Sequence, residues 1–161
     1  MATTQIIAEP GMPQIVITRE FDAPRALLFR AYTDPGLLVQ WLGPRRLTMS
    51  VDHFDVRDGG TWRYIHRGAD GTEAAFHGVF HGTPSLDGGI VQTFEFEGAP
   101  GHVSLETVTF EEHAGGTLVR TNDVFQSVED RDAMLQSDME EGINESIERL
   151  DELLARLAPV S

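Results

Sequence analysis

The sequence contains no cysteine, which removes disulfide cross-links, thiolate catalysis and cysteine-ligated zinc together. It contains no lysine either, so its 12 basic residues are all arginine, and set against 26 acidic residues they leave a formal net charge of -14. A surface of that balance repels phosphate backbones and anionic bilayers, so neither a nucleic acid nor a membrane surface is expected as a partner. No apolar run approaches the length of a bilayer span, and the opening "MATTQIIAEPGMPQ" has neither the basic start nor the apolar core of a signal peptide. The cytoplasm is the expected compartment. Also missing are a phosphate-binding glycine loop, a nucleophile elbow and an HExxH helix.

What remains is a chain of 161 residues with an ordinary apolar fraction of 40%, enough to bury one core without staples. Pro10, Gly11 and Pro13 mark residues 1–13 as a flexible leader or a short strand, and residues 14–158 as a single domain. "QIVITREF" alternates apolar and polar residues and predicts a half-buried strand from Gln14 to Phe21. Asp22 and Pro24 then announce a helix, and Asp34 and Pro35 repeat the signal for a second one through Leu38 and Trp41 that Gly43 and Pro44 stop. From Arg46 to Phe125, short alternations separated by glycine pairs predict about six antiparallel strands. Ser127 and Asp130 resemble a capping box that opens a long helix. Its stripe runs through Leu135, Met139, Ile143, Ile147, Leu150, Leu154 and Leu157, with charged residues elsewhere.

The fold class that follows is α+β: a curved antiparallel sheet of about seven strands, two short helices, and one long C-terminal helix lying across the sheet. One residue interrupts the pattern. Gly142 sits inside the long helix, where it costs about 1 kcal/mol relative to alanine. Close packing or a local bend is the first explanation, and room for a ligand the second.

The segments "FDAPRALLFRAYTDP", "QWLGP", "DVRDGGTWRY", "GADGTE", "HGVF", "TFEFEG", "VTFEEHAGGTLVRT" and "RDAMLQSDMEEGINESIERLDELL" resemble those of the START-like SRPBCC superfamily. They are most similar to bacterial proteins like the C-terminal domain of the heat-shock protein 90 ATPase activator. The resemblance spans about Ile15 to Leu157 and implies a helix-grip fold with a cavity between sheet and C-terminal helix. It also implies a range of roles, from binding hydrophobic ligands through polyketide cyclisation to co-chaperone activity. Nothing in the chain matches the separate N-terminal domain of the full co-chaperone, so a chaperone partner is not the leading expectation.

Strand alternation names the candidate site. In "TWRYIHR", Trp62, Tyr64 and His66 share one face and Arg63 and Arg67 the other. Pairing onward through the Asp70–Gly71 turn brings Phe76 and Phe80 to the same face, and the next strand adds Gln92, Phe94 and Phe96. Trp41, Met139 and Ile143 complete the candidate ligand contacts. Tyr64, His66 and Gln92 would orient a molecule and the aromatics surround it, while ordinary core packing competes as the explanation for each. His66 near Tyr64 could move a proton, but no nucleophile or oriented carboxylate accompanies it. His77 and His81 have a spacing that suits a metal on a helix; on a strand it separates them by about 13 Å. Arg45 and Arg46 could guard a pocket mouth, with surface ion pairing the simpler account. No residue is assigned a catalytic or metal-binding role, and no cofactor is expected. The favoured reading is non-enzymatic binding of a small hydrophobic or aromatic molecule. A cavity enzyme of the cyclase, dehydratase or hydrolase type and a chaperone-associated stress-response module are the alternatives, and a homodimer is left open.

Overall fold

The computed structural model describes residues 4–157. In chain order the elements are β1 (Gln5–Ile7), β2 (Gln14–Phe21), α1 (Arg25–Thr33), α2 (Pro35–Leu38), β3 (Leu47–Phe54), β4 (Thr61–Gly68), β5 (Glu73–Val79) and β6 (Ile90–Phe96). They continue with β7 (Val103–His113), β8 (Gly116–Val124), α3 (Val128–Leu135) and α4 (Met139–Leu157). One antiparallel sheet holds all eight strands in the order β1-β2-β8-β7-β6-β5-β4-β3, one strand more than the sequence suggests. The eighth strand is β1, the short strand that the sequence offers as one of two readings of residues 1–13, and it pairs its Ile6 with Ile17 of β2. No described helix is long and apolar enough to cross a membrane.

Both short helices form where the proline signals place them, with a different start for α1. Pro24 itself is the N-cap, in extended conformation and without a side-chain cap bond, so Asp22 does not cap this helix. A proline cannot enter α1 as a donor, and its carbonyl instead accepts from Leu27 (3.0 Å). The buried Thr117 hydroxyl holds the approach to α1 by donating to the Ala23 carbonyl (2.7 Å). Asp34 does cap α2, its carboxylate accepting from Gly36 N–H at 2.9 Å. Regular helix stops at Leu38, short of the expected Trp41, and the chain runs on in hydrogen-bonded turns. Trp41 is buried and donates its indole N–H to the Ala31 carbonyl of α1 (3.0 Å).

The long helix expected after Ser127 is two helices. Ser127 accepts from Asp130 N–H (3.1 Å) as an N-cap should, but the Asp130 carboxylate pairs with His102 (2.9 Å) rather than closing the box. α3 ends after two turns, and Asp138 adopts a left-handed φ of 59° before α4 starts, a conformation aspartate tolerates better than most residues. Leu135 therefore leaves the apolar stripe and is exposed. On α4, Ile147, Leu150, Leu153 and Leu154 are buried against the sheet and α1 side, each contributing about 1.5–3 kcal/mol.

Sheet register sets which side chains share the concave face. Trp62 lies opposite Gly78 and Tyr64 opposite Phe76 across β4 and β5, and Phe76 lies opposite Phe96 across β5 and β6. Gly78 exists here for space: a Cβ would fall onto the Thr93 carbonyl oxygen and within 2.6 Å of the Trp62 indole. We expect Gly78→Ala to destabilise the chain by roughly 1–3 kcal/mol or more in urea unfolding, and an unchanged midpoint would show that the sheet relaxes freely around Trp62.

Candidate functional site

Between the concave face, α2 and the first half of α4 lies a cavity of about 380 Å³, within the size range of small-molecule sites. All ten residues proposed from the sequence border it: Trp62, Tyr64 and His66 from β4, Phe76 and Phe80 from β5 and its end, Gln92 and Phe94 from β6, Trp41 after α2, and Met139 and Ile143 from α4. Phe96, expected on the same face, does not border the cavity: it is exposed, with its ring against that of Phe76 (5.2 Å between rings). The aromatic wall is continuous. Trp62 stacks on Tyr64 at 5.1 Å, Tyr64 tilts against Phe76 at 5.5 Å, and Phe76 against Phe94 at 5.3 Å.

The loop between α2 and β3 is tied to α4 by polar contacts. Gly43 N–H donates to Ser146 Oγ (2.7 Å), Arg149 donates to the Gly43 carbonyl (2.9 Å), and Arg45 N–H donates to Glu145 (2.9 Å). Arg45 also pairs through its guanidinium with Glu152, so it serves as a surface clamp rather than a ligand-binding cation. Gly43 has a φ of 101° and lies so close to His66 that any Cβ would strike the imidazole. His77 faces away from the cavity, between Glu95 (3.3 Å) and Glu97 (3.0 Å).

Three buried polar atoms have no hydrogen-bond partner among the described residues: Trp62 Nε1, His66 Nδ1 and Asp123 Oδ1. All three belong to residues that border the cavity, and each such atom costs about 1–3 kcal/mol when left unpaired. Burial, and next the charge of Arg149, lower the His66 pKa to about 4, so the ring is neutral at physiological pH. Burial first, and the Glu106 carboxylate second, raise the phenol pKa of Tyr64 and of Tyr32. Both keep their protons and remain available as donors.

Glu106 and Asp123 are the site residues that the sequence reading missed. They stand directly opposite one another on β7 and β8, and Glu106 stands opposite Gln92 on β6. Gln92 Nε2 donates to Glu106 Oε1 at 2.8 Å. Burial, then the neighbouring Glu106, raise the Asp123 carboxyl well above the usual carboxylate range. The signal was present in the alternation: Glu106 is in phase with the buried Ser104, Val108 and Phe110, and Asp123 with the buried Thr117 and Val119. An acid in phase with a buried face is the cue.

Gly142 borders the cavity, and a Cβ built on it meets nothing within 4 Å. Close packing is therefore not its role, and α4 is continuous through it, the break lying earlier at Gln136–Asp138. The remaining explanation is space beside the cavity.

Comparison with known proteins places this geometry. The family described as Activator of Hsp90 ATPase homolog 1-like protein matches residues 22–155. Among solved structures, protein Ms6760 from Mycobacterium smegmatis is 27% identical with a TM-score of 0.84, the match covering 96% of this chain and 97% of that one. A Rhodobacter sphaeroides protein is 26% identical with a TM-score of 0.86, over 96% and 99% of the two chains. A protein from Arthrobacter aurescens is 27% identical with a TM-score of 0.85, over 94% and 91%. No curated protein matches significantly.

Two outcomes follow from the site. Gly142→Ala should raise stability by about 0.5–1 kcal/mol in urea unfolding, because the helix gains propensity and the methyl enters free space; a loss would show that close packing is needed after all. The lowered His66 pKa means that the unfolded chain binds more protons between pH 6.5 and about 4. Its contribution is complete above 6.5 and is lost as pH falls through that window. His66→Gln should flatten the acid limb of stability by up to about one proton, and an identical limb in the variant would assign it to other groups.

Proposed function

The chain belongs to the family of Activator of Hsp90 ATPase homolog 1-like proteins, and from that premise we propose that it binds a small hydrophobic or aromatic molecule between its sheet and α4 without transforming it. The observation that carries this reading is the aromatic-walled cavity of about 380 Å³. Apolar walls with a few convergent polar groups suit a ligand whose surface is mostly hydrocarbon.

Catalysis through His66 is less well supported. Its Nδ1 has no partner among the described residues, so nothing holds the ring in the tautomer that a general base needs. The family's name connects its namesake to a chaperone ATPase, a role that calls for an exposed interface, whereas the built feature of this chain is internal. Ligand binding is the reading that uses it.

Native mass spectrometry of protein purified from its own host should reveal a copurifying small molecule. A panel of lipids and aromatics should contain compounds that raise Tm by about 5–10 °C near a hundredfold excess over Kd. Ile143→Trp, which fills the cavity from α4, should abolish that rise while leaving a folded protein by circular dichroism. No bound molecule and no thermal shift, or an equal shift in the filled variant, would overturn the proposal.

A further inference from the structure

The cavity wall contains one row that does not fit an apolar container. Across β6, β7 and β8, Gln92, Glu106 and Asp123 are successive direct neighbours, with Phe80 bridged to Gln92 at one end and Ile15 opposite Asp123 at the other. Two carboxyl groups thus meet in a face built mostly of aromatic and aliphatic side chains, with His66, Gln92 and Ser104 its other polar members. Like charges directly opposite in an antiparallel pair destabilise a sheet, and apolar residues would pack this position at less cost.

The described residues supply no counter-charge. Among the described residues neither Glu106 nor Asp123 forms an ion pair, and the sequence has no lysine to offer one. The buried guanidinium of Arg131 on α3 is engaged by Asp132 and by the Glu9 and Gln14 carbonyls. Gln92 satisfies one Glu106 oxygen. Asp123 is only 9% exposed, and its Oδ1 has no partner, yet the residue borders the cavity. An unpaired, buried acceptor beside a ligand-sized space calls for a donor from the ligand.

Resting on the cavity-binding reading, we propose that Glu106 and Asp123 form the polar anchor of the cavity, and that the ligand is a hydrophobic or aromatic molecule carrying a protonated amine. Its N–H groups donate to Asp123 Oδ1 and to the Glu106 carboxylate, and its hydrocarbon part lies against Trp62, Tyr64, Phe76 and Phe94. A cation fits both halves of this surface. It forms charge-assisted hydrogen bonds with the acids, and it is attracted to the faces of the aromatic rings that line the approach. Burial, then the charge of Glu106 and a side-chain hydrogen bond with it, raise the Asp123 carboxyl well above the usual carboxylate range, and a cation beside the pair is the partner that favours its ionised form.

The test compares three probes with one skeleton, naphthylethylamine, naphthylethanol and naphthylacetate, by isothermal titration calorimetry. Wild-type protein should bind the amine about tenfold or more tightly than the alcohol, with the acid weakest. In Glu106→Gln and in Asp123→Asn, each confirmed as folded by thermal melting, the advantage of the amine over the alcohol should fall to about threefold or less while alcohol binding persists. Glu111→Gln, which removes an exposed carboxylate from the opposite face of β7, outside the cavity, serves as the variant in which the amine preference is retained. If the alcohol binds wild-type protein as well as the amine does, or the preference survives both acid substitutions, the anchor is wrong although the cavity still binds. If none of the three probes binds, the cavity-binding reading and the anchor both fail.

Discussion

The structure depends on how α4 covers the concave sheet. Its second half seals the sheet: Ile147, Leu150, Leu153 and Leu154 are buried, and Arg19 of β2 reaches across to Asp151 (2.6 Å). Its first half spans rather than seals, so that Met139, Gly142 and Ile143 border the cavity instead of meeting the sheet. The changeover falls at Ser146 and Arg149, which hold the backbone of Gly43 from both its N–H and its carbonyl. The cavity follows from a helix fixed along one half of its length and held off along the other.

That division explains features that look unrelated in isolation. The turn around Gly43 lies over His66 because the loop is drawn toward α4, and only glycine permits both the left-handed φ and the imidazole beneath. The break before Met139 separates α3 from α4, and Met134 of α3 borders the cavity together with Asp123 and Phe125. Gly142 occupies the spanning half, where it borders the cavity and an added Cβ would form no packing contacts.

Much of this was legible in the sequence, for reasons that can be named. Alternation in "TWRYIHR" places Trp62, Tyr64 and His66 together, and antiparallel pairing carries the same face through Phe76, Phe80, Gln92 and Phe94. Continued for two more strands, the same rule reaches Glu106 and Asp123. What stopped it was the polarity of "SLETVTF" and "TLVRTND", whose inward positions mix Ser104, Glu106 and Asp123 with Val108, Phe110 and Val119, so that neither face reads as plainly apolar. The division of the last helix was less legible. No proline or glycine marks Gln136–Asp138, and the periodicity of Leu135 and Met139 continues across it by accident. The α1 cap misled for a simpler reason: an aspartate two residues before a proline is a common helix start, whereas here the local anchor is a long-range bond from Thr117.

The distribution of unsatisfied groups bears on what the fold was selected for. A core optimised for stability places apolar side chains at inward strand positions and pairs every buried polar atom. This chain follows that rule at Leu28, Ala31, Val108, Leu150 and Leu153, and departs from it around one space, at Trp62, His66 and Asp123. The departures differ in chemical kind: an indole donor, a neutral imidazole and a carboxyl acceptor. Of the three, the indole does not titrate and the imidazole is already neutral at physiological pH, whereas burial and the neighbouring Glu106 raise the Asp123 carboxyl well above the usual carboxylate range. Local inconsistency of this kind, confined to a single cavity in an otherwise well-packed domain, is where function and stability separate. Asp123 is the acidic one among them, and no arginine pairs with it or with Glu106 among the described residues.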